Sequence, residues 1–161
     1  MSKPVITNLD KLLIYEEGIK TKKYKCSKGY PTIGIGHRII GTDPAYYTTK
    51  GLKDYEEAIK LLKIDEVKAD RAAREYEWFL GLNEPRKAVI ISMIFQMGAK
   101  GFAGFKQLHK ATKEQRWVAA RNEMLDSEWA REDSPNRAAR HARQMLTGGW
   151  QDEYLKVKIT L

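Results

Sequence analysis

Leu9, Leu12 and Leu13 fall on one side of a helical period, with Thr7 or Asn8 before them as a cap and Asp10 in the first turn. The pattern predicts a first helix that runs to about Glu17 and stops at Gly18. Between Tyr24 and Tyr47 the helical period disappears. Turn formers (Ser27, Gly29, Pro31, Gly34, Gly36, Gly41, Asp43, Pro44) are interleaved there with Tyr, Thr and Ile, which predicts short antiparallel strands in a small sheet. From Asp54 the helical spacing returns. Asp54 and Glu57 resemble a capping box. Ala58, Leu61, Leu62, Ile64, Ala69 and Ala72 then carry the period to about Trp78, long enough for a spine between two lobes. Gly81 ends it. Asn83 and Pro85 open "RKAVIISMIFQMG", which is apolar on most sides and reads as the buried core helix.

Shorter helices are expected after Gly104, around Glu114–Leu125 and after Ser134, the last with Ser134 as cap and Pro135 in its first turn. "TGGW" stops that helix. No internal repeat, low-complexity tract or coiled-coil heptad interrupts the pattern. The expected fold class is α+β, in one domain over residues 1–161. Its N-terminal lobe spans about 12–58 and carries the small sheet. A connecting helix covers about 54–79, and an all-helical C-terminal lobe about 80–161, with the first helix packing on that lobe.

Composition narrows the class. Hydrophobic residues make up 42% of the chain, which fits a globular protein, and no apolar run approaches the length of a membrane span. The N-terminal "MSKPVITNLDKLLIYEEG" lacks the apolar core of a secretory signal, so a reducing cytoplasm is the expected compartment, and one cysteine suits it. Net charge is +8, from 29 Lys and Arg against 21 Asp and Glu. Such an excess favours a polyanionic partner: nucleic acid, anionic lipid or a charged wall polymer. Cys26, alone among lysines, can form no intramolecular disulfide and makes a poor zinc ligand. It is either a packed small hydrophobe or a reactive thiol.

Eight residues separate Glu17 from Cys26, and five separate Cys26 from Thr32, which "IGIGH" follows at once. This Glu-x8-Cys-x5-Thr spacing resembles that of the phage-type lysozymes of glycoside hydrolase family 24, the T-even phage lysozyme class. "AVIISMIFQMGAKGFAGF" is similar to the family's central helix and the turn after it. "EWAREDSPNRAAR" is similar to its Trp…Ser-Pro-Asn-Arg-Ala segment. The resemblance runs from about residue 8 to residue 155. It implies a two-lobed lysozyme-like fold and an endolysin: a muramidase that cuts the β-1,4 bond between N-acetylmuramic acid and N-acetylglucosamine in peptidoglycan.

The resemblance also assigns roles. Glycoside cleavage needs an acid to protonate the leaving oxygen and a second group across the sugar ring. Glu17 takes the place of the general acid, and Thr32 would hold the attacking water. Cys26 stands where most of the family has Asp, as a base or as a nucleophile. Lys25 and Lys28 flank it, and positive charge lowers a thiol pKa. Arg137 matches the arginine that faces the catalytic Glu, with Asn136 beside it in the same motif. Gln96 and Trp129 are implied cleft residues, although composition alone makes both core. His37 is expected to support the site, paired with Asp65. No metal and no cofactor are implied. The expected protein is a monomer held in the host cytoplasm, which reaches the wall after a holin permeabilises the membrane.

Two rival readings remain at this level. "KTKKYKCSKGY" mixes lysines and tyrosines as a single-strand nucleic-acid surface does, but the basic residues are not gathered on one helix and no nucleic-acid motif stands out. A wall-binding relative that lost activity with its Asp is the other.

Overall fold

The computed structural model describes residues 2–161. Among the described residues, seven α-helices and a three-stranded antiparallel sheet, in the order β1-β2-β3, make the α+β class. The chain divides into two compact units, one of residues up to 67 together with 153–161, the other of residues 68–152.

In the first unit, α1 (Asn8–Glu17) starts with a reciprocal cap. Thr7 accepts from the Asp10 N–H at 3.1 Å, and the Thr7 N–H donates to the Asp10 carboxylate at 2.8 Å. Gly18, at φ 74°, ends the helix, and its N–H donates to the Ile14 carbonyl. Leu12 and Leu13 are fully buried. The sheet follows as β1 (Lys20–Lys25), β2 (Pro31–Gly34) and β3 (His37–Arg38). Strand pairing begins at Lys20, earlier than the turn-former pattern indicates. Lysine-rich β1 has no alternation of its own, and a bulge between Lys20 and Tyr24 breaks its register. The C-terminal segment packs on α1: Tyr154 is fully buried, its ring meets Tyr15 edge-on at 5.5 Å, and its hydroxyl donates to Glu16.

α2 (Tyr55–Ala73) runs from the first unit into the second. Asp54 caps it by accepting from the Glu57 N–H at 2.9 Å, while Glu57 returns the bond to the Lys53 N–H rather than to Asp54. The helix stops short of Trp78. At Tyr76 the backbone turns extended (φ −97°, ψ 116°), and a 3₁₀ turn covers Glu77–Gly81. The break brings Tyr76 onto Trp78 at 5.1 Å and against His109 at 4.6 Å, burying aromatic surface that a straight helix would leave in water.

The second unit is helical. α3 (Glu84–Ala103) is capped by Asn83, which accepts from the Arg86 N–H; it buries an unbroken run from Ala88 to Ile94 and is kinked at Gly98 (φ 79°). α4 (Lys106–Lys113), α5 (Trp117–Leu125) and α6 (Pro135–Thr147) follow, with a π-helical turn over Trp129–Asp133 before α6. Ser134 sits at the start of α6 as expected, but its hydroxyl makes no cap. It accepts from Gln96 at 2.8 Å instead. Arg86 caps the far end, donating to the carbonyls of Met145 and Leu146 while its guanidinium lies 3.7 Å from the Trp117 ring centre. A last short helix, α7, spans Asp152–Leu155.

Candidate active site

Antiparallel pairing places Tyr24 of β1 directly opposite Thr32 of β2. Side chains alternate along a strand, so Cys26, two residues after Tyr24, shares that face. The connecting turn is closed by two backbone bonds, from the Cys26 N–H to the Tyr30 carbonyl (3.0 Å) and from the Gly29 N–H to the Cys26 carbonyl (2.8 Å). Cys26 is half-buried, and Thr32 is buried.

Burial acts to raise the Cys26 thiol pKa, but hydrogen bonds outweigh it and the net direction is down. The donors are the backbone N–H groups of Tyr30, Lys28 and Cys26 and the Thr32 hydroxyl. The direction matches the sequence expectation; the cause differs, since these donors, and not the flanking ammonium groups, do the work. Thr32 has a single hydroxyl proton. It donates to the Tyr30 carbonyl at 2.8 Å, so a bond to the sulfur requires that proton to turn as the thiol ionises.

Glu17, the last residue of α1, lies against the β2–β3 turn. A Cβ built on Gly36 would come 2.7 Å from Glu17 Oε1, and Gly36 holds φ 66°. The positive φ favours glycine there, and any side chain would have to displace the Glu17 carboxyl. Tyr24 joins the two groups: burial raises the pKa of its phenol, and the charges of Glu17 and Cys26 raise it further. Tyr24 thus lies opposite Thr32 and within electrostatic reach of both Glu17 and Cys26. Sequence reading passed over Tyr24, although its place two residues before Cys26 marks the shared face.

His37 is pinned from both sides. Its Nδ1 donates to Asp65 at 2.7 Å and its Nε2 to Asp43 at 2.9 Å. Burial alone would lower its pKa; the two carboxylates reverse this and hold it above the ordinary histidine value. The Asp65 bond follows the expectation, and Asp43 is an addition that loop closure supplies.

The remaining candidates lie in the second unit. Trp129 is buried, and its Nε1–H donates to Gln96 Oε1 at 2.9 Å. Trp129 also lines a pocket of about 540 Å³ with Met97, Phe105 and Leu108. Arg137 is buried and donates to the Ser92 hydroxyl at 2.8 Å and the Ser92 carbonyl at 3.3 Å. Fully buried His141 meets the same hydroxyl at 2.7 Å. Burial first, then the charges of Arg137 and Arg140, drive its pKa well below the usual value and keep it neutral. Asn136 is exposed in the first turn of α6.

Residues 15–144 match the family model for phage lysozyme, and the match holds both the sheet and the central helix. The chain belongs to the phage lysozyme family. Among curated relatives of this phage lysozyme family member is "Probable T4-type lysozyme 1" of Dictyostelium discoideum, 28% identical over 165 residues, covering 89% of this chain and 96% of the relative. "Probable T4-type lysozyme 2" of the same organism is 29% identical over 175 residues, with the same coverages of 89% and 96%. The "Pre-baseplate central spike protein Gp5" of Enterobacteria phage T4 is 28% identical in an alignment of 172 positions that covers 94% of this chain and 30% of that protein.

Proposed function

We propose that the chain is an endolysin-type muramidase that hydrolyses the β-1,4 bond from N-acetylmuramic acid to N-acetylglucosamine in peptidoglycan. The observation that carries this reading is the placement of Cys26 beside Thr32, with Tyr24 opposite Thr32 and within electrostatic reach of both Glu17 and Cys26, in a chain of the phage lysozyme family. In the proposed reaction Glu17 gives its proton to the departing O4 of N-acetylglucosamine. The Cys26 thiolate takes a proton from a water that Thr32 positions, and that oxygen bonds to C1 of N-acetylmuramic acid, inverting it. The alternative course is direct attack of sulfur on C1, with a thioglycosyl intermediate that water then releases with retention. Lysis of a bacterial host, passage to the wall through a holin lesion, residence in the host cytoplasm and a monomeric state complete the proposal, and each rests on resemblance.

Product analysis tests it. Purified protein is incubated with isolated peptidoglycan, and the fragments are reduced with borohydride and read by mass spectrometry. The expected reducing end is N-acetylmuramic acid, recovered as its alditol. Reducing-end N-acetylglucosamine or anhydro-muramic products would overturn the assignment.

A further inference from the structure

Between residues 18 and 53 stand eight cations (Lys20, Lys22, Lys23, Lys25, Lys28, Arg38, Lys50, Lys53) against one anion, Asp43. That segment, under a quarter of the chain, therefore carries a net +7 of the total +8. All eight cations are exposed. The fold gathers them further. The Leu52 N–H donates to the Thr21 carbonyl at 2.7 Å, and the Lys22 ammonium donates to the Lys50 carbonyl. Gly51 makes this approach possible, for a Cβ there would come 2.4 Å from the Thr21 carbonyl oxygen. Lys50 and Lys53, remote in sequence, are thus laid along the outer edge of β1.

The chemistry of the patch selects among polyanions. Seven of the eight cations are lysines, point charges that bind phosphate without the two-pronged geometry by which arginine reads planar groups. Tyr24 is the one aromatic residue in β1 and the 50–53 segment, and it is already covered: it is half-buried, and Lys20 lies 4.3 Å from its ring centre. A nucleic acid gains much of its hold on a single-strand surface by stacking bases on open aromatic faces, and along this edge that face is taken. The patch suits a flexible chain of phosphates that carries no bases. We infer that the outer edge of β1, with the segment 50–53 laid against it, is a docking surface for a phosphodiester-linked wall polymer. The choice of a wall polymer rests on the muramidase reading; the surface itself does not.

The test uses soluble poly(glycerol phosphate), which contains no glycosidic bond and so reports docking apart from hydrolysis. Its binding is measured against salt for the wild type, for Lys23→Gln/Lys50→Gln/Lys53→Gln, and for Lys100→Gln/Lys110→Gln/Lys113→Gln, whose exposed lysines lie in the second unit and give an equal change of charge. The sheet variant is expected to bind about tenfold more weakly or worse at low salt, and its plot of log affinity against log salt to be shallower by about 2. The control is expected to stay near wild type. Equal losses in the two variants would overturn the inference, because binding would then follow net charge alone. A single-stranded oligonucleotide of matched phosphate count is expected to bind no tighter than the polymer. Binding of that oligonucleotide more than tenfold tighter would also overturn it, as base recognition. Failure of the product analysis with docking intact would reject the muramidase reading and leave the surface standing.

Discussion

A thiol near its reference pKa of about 8.5 is only a few per cent ionised at neutral pH, and so makes a weak base. The hairpin around Cys26 changes this by aiming backbone N–H groups and the Thr32 hydroxyl at the sulfur. The thiolate then gains bonds that the thiol does not, and more of it is present at a given pH. If this anion is the base or nucleophile, Cys26→Ser loses activity by about two orders of magnitude or more, since a hydroxyl does not ionise in this range. Cys26→Asp retains much of it. The acid limb of its pH–rate profile moves to lower pH, because a carboxylate ionises near pH 4. Iodoacetamide inactivates the wild type and spares the Asp variant. Full lytic activity in alkylated protein would return Cys26 to the role of a packed side chain. Glu17 gives a second residue-level test. Glu17→Gln keeps the shape that fits against Gly36 but donates no proton, and is expected to cost about three orders of magnitude in lysis with an unchanged melting temperature. Substantial lysis by a folded Glu17→Gln protein would remove it as the acid.

Helices α1 and α2 are joined by a buried carboxyl pair. Asp10 is fully buried and Glu66 nearly so, and their side chains hydrogen-bond to each other. Asp10 Oδ1 and Glu66 Oε2 are the atoms with no other partner, and two such oxygens can bond only through a shared proton. The Lys63 ammonium donates to the other oxygen of Asp10, so Asp10 is the ionised member. For Asp10, burial acts to raise the pKa, but the bonds to Glu66, Lys63 and Thr7 bring it below the usual value. Burial first, then Asp10, pushes Glu66 up to about 9. Between the unfolded value of 4.5 and about 9 the folded chain holds a proton that the unfolded chain has released. Stability therefore falls as pH rises through that window, by up to about 1.4 kcal/mol per pH unit for one whole proton. Glu66→Gln keeps a donor toward Asp10 and has nothing to titrate. Urea midpoints between pH 6 and 9 are expected to slope down less in Glu66→Gln than in wild type; equal slopes would show that the pair does not share a proton. The effect reaches the site through one element, since α1 is held by Asp10 near its start and ends at Glu17.

At the scale of the molecule, what could be read in advance was local. Thr7, Gly18, Asn83, Pro85 and Pro135 marked helix ends because caps and φ restrictions act within a few residues. The turn formers announced the sheet for the same reason. Tertiary contacts stayed hidden: the break at Tyr76 that serves an aromatic cluster, the turn of Ser134 toward Gln96, and the meeting of Asp10 with Glu66 across 56 positions. The catalytic candidates were legible through the Glu-x8-Cys-x5-Thr spacing, whereas Tyr24 needed the β1–β2 register to enter. Charge shows the same division, for +8 was plain in composition and its gathering on the sheet edge was not. That gathering sets how the protein meets a large anionic substrate. An exposed patch attracts such a surface over roughly a Debye length, about 30 Å at 0.01 M salt and about 8 Å at 0.15 M. A short, soluble glycan fragment, with one lactyl carboxylate for each N-acetylmuramic acid, is drawn far more weakly. Lysis of isolated walls, followed by turbidity, is therefore expected to slow several-fold between these salt concentrations. Cleavage of a short, soluble glycan fragment of alternating N-acetylglucosamine and N-acetylmuramic acid, which carries only the lactyl carboxylates, followed by chromatography, is expected to stay within about twofold, because so few charges are steered only weakly. If both rates fell together, salt would be acting on the chemistry or the fold, and the charged sheet edge would have no part in reaching the wall.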